Sequence, residues 1–470
     1  MSPRHPIPPA RGVFWLEEAL AADPGRSCPP LAGSARADVC IVGGGYTGLW
    51  SAIEIKRLAP ETEVVVLEAT ACGFGASGRN GGWATSWFDE LDRLVERFGA
   101  ADGVDLADRS SQAILNLRDT AEEHGFDCDF RREGSLWVAT SEAHDEAVAE
   151  VAATCRRHGR GEIVREVDAE ECFERTGSRV ARGGLLIADS AAVQPAKLAR
   201  GLRQAALDLG VTIHEGSPMI ALERTAPARV RTTAGTVEAD RVILANNAWM
   251  ARVRELRRAV FVVGTQIVLT EPLGARLEEL SWRDGLLFGD ARMFVHYAQV
   301  TAGGRIAFGR GGGAISAANR VIPKHFVDPG TSATVAADFR AWFPQLADLR
   351  LTHTWGGAVD RAPGHLPFVG DLGPAGNVHY GIGYSGNGVG PSNLIGQILA
   401  RRALGVEDGL RDCALVSGPP GYLPPEPLRF AGAAVVRNAI QRSEAREERG
   451  GTPGPVGRLA RRLAGLSLPR

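Results

Sequence analysis

The stretch "DVCIVGGGYTGLW" sets glycines at 43, 45 and 48 between an apolar run and what reads as the first turn of a helix. The spacing is G-x-G-x-x-G. The first glycine allows a tight turn, the second lets a pyrophosphate reach backbone N–H groups at a helix N-terminus, and the third lets helix and strand pack closely. Glu68 ends the run "EVVVLE", 20 residues after Gly48, where a carboxylate can take the ribose hydroxyls of an adenosine. These residues point to dinucleotide binding. An acid at 68 argues against a 2′-phosphate, but the pattern alone serves FAD and NAD alike.

Two further clusters bear on that choice. "GFGASGRNGGW" (73–83) puts small residues, Arg79 and Asn80 straight after the second β-rich run, where a long prosthetic group would pass beyond its pyrophosphate. Far downstream, "GYSGNGVGPSNLIG" (383–396) sets glycines at 383, 386, 388 and 390 ahead of a helical stretch, "SNLIGQILARRAL". Glycine is entropically costly to fix, so such a cluster marks a sharp turn, a positive φ or backbone that approaches something closely.

The elements that must position these clusters are readable from periodicity. "DVCIVGGGYTGLWSAIEIKRLAPETEVVVLE" is one βαβ unit. Residues 90–123 read as helical, strand signals occur around 129–139, and "SEAHDEAVAEVAATCRRHG" reads as a surface helix ending at a glycine. "VQPAKLARGLRQAALDLG" follows, with Pro195 placed for the first helical turn and Gly210 for the cap. Residues 259–350 hold several β-like runs and suggest a largely antiparallel unit. The expected architecture is therefore α/β plus β: a discontinuous Rossmann-like domain over 36–90, 181–258 and 351–423, interleaved with an antiparallel-sheet substrate domain over 91–180 and 259–350. An N-terminal arm (1–35) and a C-terminal helical tail (424–470) flank them. The tail ends in an Arg-rich segment, "GRLARRLAGLSLPR", which reads as a solvated or packed terminal helix rather than a membrane-surface one.

Composition narrows the function classes. A net charge of -2, 44% hydrophobic and 23% charged residues describe an ordinary globular chain with no pull toward nucleic acid. The 7 cysteines are scattered, without a CxxC pair, which suggests neither a disulfide framework nor a metal site, and fits a reducing cytosol. The opening "MSPRHPIPPARG" runs into prolines instead of an apolar core, so no secretory signal is expected, and no apolar run approaches a membrane span.

With these motifs in order, including "ADRVILANNAW" and "TWGGAVDRAPGHLPFVGD", the chain from about 36 to 440 resembles the D-amino-acid oxidase, glycine oxidase and sarcosine oxidase-like flavoproteins. Within them it is most similar to the gamma-glutamylputrescine oxidase-like subgroup, marked by a GASGRNGG-like segment. The resemblance implies a GR2-type FAD-binding domain. It implies that Gly43, Gly45, Tyr46, Thr47, Gly48 and Glu68 hold the ADP half of FAD and that Met219 offers backbone to the adenine. Ser77, Gly78, Arg79, Asn80 and Gly81 would line the path to the flavin, and Gly386, Asn387, Gly388 and Val389 would meet the isoalloxazine ring. The implied chemistry is hydride transfer from an amine-bearing carbon to flavin N5, followed by hydrolysis of the imine.

Three departures qualify the resemblance. "WGGAVDRAP" lacks the Cys, and "GASGRNGG" the His, through which some relatives attach flavin covalently, so noncovalent FAD is expected. "RIAFGR" (305–310) carries no Lys of the kind sarcosine oxidases use with oxygen, which leaves the electron acceptor as oxygen or another species. Val359 stands where amino-acid-oxidising relatives place a carboxylate-clamping Arg, with Arg361 two residues on. This favours an amine without an α-carboxylate, or one whose acidic group binds elsewhere. Candidate substrate residues are Trp83, His296, Tyr297, Trp355 and Tyr384, aromatic rings that could orient an amine. Asp360 and Arg361 are expected to pair on a surface, with His365 nearby. An NAD-dependent dehydrogenase or a non-catalytic flavin-binding redox protein are the alternatives, although the first leaves the Gly383 cluster unexplained.

Overall fold

The structure, a computed structural model, describes residues 12–22, 25–282 and 285–464. Most of the segment read as a secretory-signal test, and the last part of the Arg-rich terminus, lie outside these residues.

The run "GSARADVCIV" forms the central strand Gly33–Val42 of an eight-stranded sheet. It pairs in parallel with Val64–Leu67 on one side and Gly235–Leu244 on the other. Beyond these lie Thr212–His214, and Val378–Ile382 followed by Phe368–Leu372, while Ala228–Arg231 and Ala221–Glu223 form a side hairpin. Val39 and Ile41 face one apolar cluster while Cys40 and Val42 face another, so the strand is buried on both sides and reads as a continuous apolar run. Helices Tyr46–Leu58, Pro195–Asp208 and Pro391–Leu404 cover the first face. A Cβ at Gly396 would lie 2.5 Å from the Trp50 Cβ, so only glycine lets the late helix settle onto the early one.

The second sheet also has eight strands, in the order Leu351–Arg361, Phe261–Thr270, Ile306–Arg310, His296–Val300, Leu287–Asp290, Ser135–Ala139, Gly183–Ile187, Val164–Asp168. Its pairings are antiparallel except that of Leu287–Asp290 with Ser135–Ala139. Two strands depart from the expected boundaries. Leu351–Arg361 and Gly183–Ile187 were both expected in the dinucleotide domain, yet they pair in this sheet. The first runs its whole length along Phe261–Thr270, so "LTHTWGGAVDR" belongs to the second sheet. The region 90–123 is two helices, Leu91–Phe98 and Ala100–Glu123, separated at Gly99, whose φ of +84° a helix does not allow.

The tail forms helices Leu428–Glu447 and Pro455–Leu463. They pack through Ile440 and Ala460 onto Phe294. All seven cysteines are free, six of them buried. No helix among the described residues is long and apolar enough to cross a membrane, and none of their acidic, His and Cys side chains form a metal-holding group.

Candidate functional site

The first glycine loop follows strand Gly33–Val42 and turns directly into helix Tyr46–Leu58. Gly43 has φ of +114°, and a Cβ there would sit 2.6 Å from the carbonyl oxygen of Ala245. A Cβ at Gly48 would fall 1.9 Å from the carbonyl oxygen of Gly43, so that glycine serves the close strand–helix contact. Gly45 caps the helix without a side-chain acceptor, which leaves first-turn N–H groups available to an anion. Glu68 stands beside the loop: its Oε2 accepts from the Gly44 amide at 2.8 Å and its Oε1 from that of Thr70 at 2.9 Å. Burial raises its carboxyl above the ordinary value, against these two amides, which favour the ionised form. Met219 lies two residues beyond Ser217, whose amide donates to the Glu68 carbonyl, so it belongs to the same rim.

The 77–81 segment crosses from this loop toward the second sheet. Ser77 Oγ accepts from the Tyr46 amide at 2.9 Å. Asn80 shapes the turn, donating to the carbonyls of Ala76 and Ser77 and accepting from the Gly82 amide at 2.8 Å. Gly78 is tight against Leu16 and the Gly73 carbonyl. Arg79 is buried at 2% exposure, its guanidinium between the rings of Phe74 and Phe326. Burial lowers its pKa to about 10, and its Nε donates to the Phe74 carbonyl. Its side chain thus anchors the segment from behind.

The second loop arrives at the C-terminal end of Val378–Ile382. Gly383 and Gly386 have φ of +93° and +105°, while Gly388 and Gly390 do not need the left-handed region. Gly386 is exposed, and the nearest atom to a Cβ there is Val359 Cγ1 at 4.0 Å. Asn387 is held by Thr85 Oγ1, which donates to its Oδ1 at 3.1 Å, and by its own donation to the Ser86 carbonyl at 3.4 Å. Val389 is buried. Asp360 accepts from the amide of Gly383 at 2.6 Å and from Asn247 Nδ2 at 3.3 Å. Burial pushes its carboxyl up to about 6 despite those donors.

The five aromatic candidates divide. Trp83 and Tyr297 meet edge to face at 6.5 Å over Gly81, on the side of the second sheet that looks toward the glycine loops. Burial raises the Tyr297 phenol to about 12, so it stays protonated. His296, one residue earlier on the same strand, faces the opposite way. It bridges Asp290 (2.7 Å) and Asp338 (3.0 Å) against Trp342 and Phe308. Burial works against its charge, but the two carboxylates outweigh it and raise the imidazole pKa. Trp355 lies on the Tyr297 face, in register with it through Ile267 and Gly309, but is fully buried behind the 77–81 segment, packing on Trp15 at 5.9 Å and donating to the Arg79 carbonyl at 2.9 Å. Tyr384 is buried, its phenolic oxygen 2.6 Å from the Thr47 hydroxyl. The expected Asp360–Arg361 surface pair does not form. Consecutive strand residues face opposite sides, and Arg361 Nη2 meets His365 Nε2 at 2.7 Å instead.

The lining fits FAD. Gly45, Ser77, Asn80, Trp83, Tyr297 and Gly388 keep accessible surface although they sit between the two sheets. The Trp83 indole N–H and Asn246 Oδ1 are buried without a partner among the described residues, polar atoms of the kind a bound group satisfies. Thr85, Ser86, Asn246 and the trio Arg93, Arg361 and His365 are site neighbours that sequence reading missed or gave no such role. Asn246 lay in a segment already singled out, "ADRVILANNAW", and Arg361 and His365 in another, "TWGGAVDRAPGHLPFVGD".

Residues 38–402 match the family model described as DAO, FAD dependent oxidoreductase. The chain is 33% identical over 86% of its length to a probable oxidoreductase, OrdL, of Rhizobium meliloti, covering 91% of that protein. It is 31% identical over 77% of its length to gamma-glutamylputrescine oxidoreductase of Escherichia coli, covering 82% of it. Among solved structures, glycine oxidase from Geobacillus kaustophilus superposes with a TM-score of 0.66 at 21% identity, covering 82% of this chain and 99% of that one. The chain belongs to the DAO family of FAD-dependent oxidoreductases.

Proposed function

We propose that this protein oxidises the carbon–nitrogen bond of a small amine or amino acid, using noncovalent FAD. The observation that carries this reading is the joining of the two glycine loops beside Trp83 and Tyr297. Bound FAD supplies the two-electron oxidant for the amine-bearing carbon, and water converts the resulting imine to a carbonyl product and ammonia or a smaller amine.

The chain's own residues have a limited task. Gly43, Gly45, Tyr46, Thr47, Gly48 and Glu68 would hold the ADP half, with Met219 at its rim, Ser77 to Gly81 the connecting stretch, and Gly386 to Val389 the ring. Trp83 and Tyr297 present an aromatic wall that orients the amine and keeps water from its face. Apart from Tyr297, a hydroxyl kept protonated, this wall offers no proton acceptor, so the substrate enters as the neutral amine. Relatives and structural neighbours named for gamma-glutamylputrescine and glycine support small amines and amino acids as the class. The strand Ile306–Arg310 offers no Lys, and its Arg310 is engaged by Asp338 and Glu444, so the electron acceptor is oxygen or another species.

The test is an anaerobic screen of amines against the flavin-loaded protein, following loss of the oxidised flavin band. Bleaching by an amine supports the reading; a flavin that no amine or amino acid reduces contradicts it.

A further inference from the structure

Arg361 stands at the C-terminal end of strand Leu351–Arg361, bridged to Tyr384 just before the second glycine loop. On the other flank of that loop, Asn387 is tied to Thr85 and Ser86, and the chain continues from there to Glu90 and Arg93. Between the two arginines sits His365, with Arg361 Nη2 at 2.7 Å from Nε2 and Arg93 Nη1 at 3.1 Å from Nδ1.

Burial and the two guanidinium groups push the His365 pKa well below its usual value, so the imidazole is neutral. A neutral imidazole has one accepting nitrogen and one N–H, and both arginines offer only donors. One guanidinium therefore faces a ring N–H and lacks an acceptor there. Arg93 is paired with Glu90, whereas His365 is the one hydrogen-bond partner of the Arg361 guanidinium among the described residues. Charges do not balance either: two cations face the Glu90 carboxyl, whose own pKa burial raises. Asp89 adds nothing at neutral pH, because burial and then Glu90 push its carboxyl up to about 8. Arg361 as a residue is half-buried, and burial, with Arg93 beside it, lowers the pKa of its guanidinium to about 10, so a charge there gains from an anionic partner.

We propose that Arg361, Arg93 and His365 form a subsite for an anionic group, a carboxylate, carried by the amine substrate at a distance from its reacting carbon. An oxyanion would supply the acceptor that the imidazole cannot give to both arginines and would cancel the excess charge. It takes over the recognition for which Val359 has no group. This assignment rests on the amine-oxidising reading and specifies its substrate class.

The experiment is calorimetric titration of the flavin-loaded protein with acetate and glutarate, with acetamide as the neutral counterpart and chloride to match ionic strength. The carboxylates bind saturably and acetamide does not. Arg361→Met and, separately, Arg93→Met weaken carboxylate binding roughly tenfold to a hundredfold while retaining flavin. In turnover, Arg361→Met raises KM for a carboxylate-bearing amine with little change in kcat. Undiminished carboxylate affinity in both variants, or acetamide binding as well as acetate, overturns the subsite and leaves the amine-oxidising reading standing. A flavin that no amine reduces defeats that reading, whatever the titration shows.

Discussion

The phenolic oxygen of Tyr384 and the hydroxyl oxygen of Thr47 lie 2.6 Å apart, a hydrogen bond between groups 337 residues distant in the chain. It pins the turn before the second glycine loop to the first turn of the dinucleotide helix. Both groups are buried, so losing one leaves the other without a partner. Tyr384→Phe is expected to cost about 1–2 kcal/mol in denaturant unfolding of the holoprotein and to weaken FAD retention on dialysis. An unchanged unfolding midpoint would show that the loops are joined by packing alone.

Valine at Gly43 and at Gly45 separates strain from occlusion. Gly45 has φ of −88° and ψ of −174°, backbone that valine adopts readily, but its side chain would enter the space beside Ser77. Gly45→Val is therefore expected to fold with an unchanged circular dichroism spectrum and to purify without flavin. Gly43→Val adds about 1–3 kcal/mol of backbone strain and a clash with Ala245, and loses stability as well. Flavin retention by both would contradict the site.

Gly396 tests how the late helix sets its loop. A Cβ there would meet Trp50 at 2.5 Å and the Ser51 amide nitrogen at 3.0 Å. Gly396→Ala is expected to cost about 1–3 kcal/mol by forcing the helices apart. The Gly383–Val389 loop moves with its helix, so flavin affinity falls too. Thermal melts with and without added FAD check both effects.

The buried His296 bridge makes stability depend on pH. Its imidazole pKa is raised above the usual 6.5, so its contribution is complete below about 6.5 and fades as pH rises through the folded value. Asp290 and Asp338 are held below the usual carboxylate value, and their share disappears only in acid. His296→Gln should flatten the decline in melting temperature on the alkaline side of about 6.5. A decline of the same steepness in that variant would place its origin elsewhere.

The turn at the first glycine loop, the placement of Glu68 beside it and the sharp turn of the late glycine cluster were legible because each has a local physical cause: close strand–helix packing, a strand-end carboxylate, a positive φ. The face a strand residue takes was not. Alternation places His296 and Tyr297 on opposite sides of one strand, but nothing in "MFVHYAQV" says which side meets the other domain. Trp355 packs on Trp15, and Arg361 meets Arg93 through His365, by contacts that only the assembled sheets create. The membership of Leu351–Arg361 in the second sheet rests on its pairing with Phe261–Thr270, and a strand does not announce its partner.

The central claim is that two remote glycine loops close around one FAD. The most direct measurement is the flavin content of the purified protein, before and after reconstitution with FAD. The account predicts a yellow protein that holds one FAD per chain and releases it intact on denaturation. A colourless protein that takes up no FAD would contradict it.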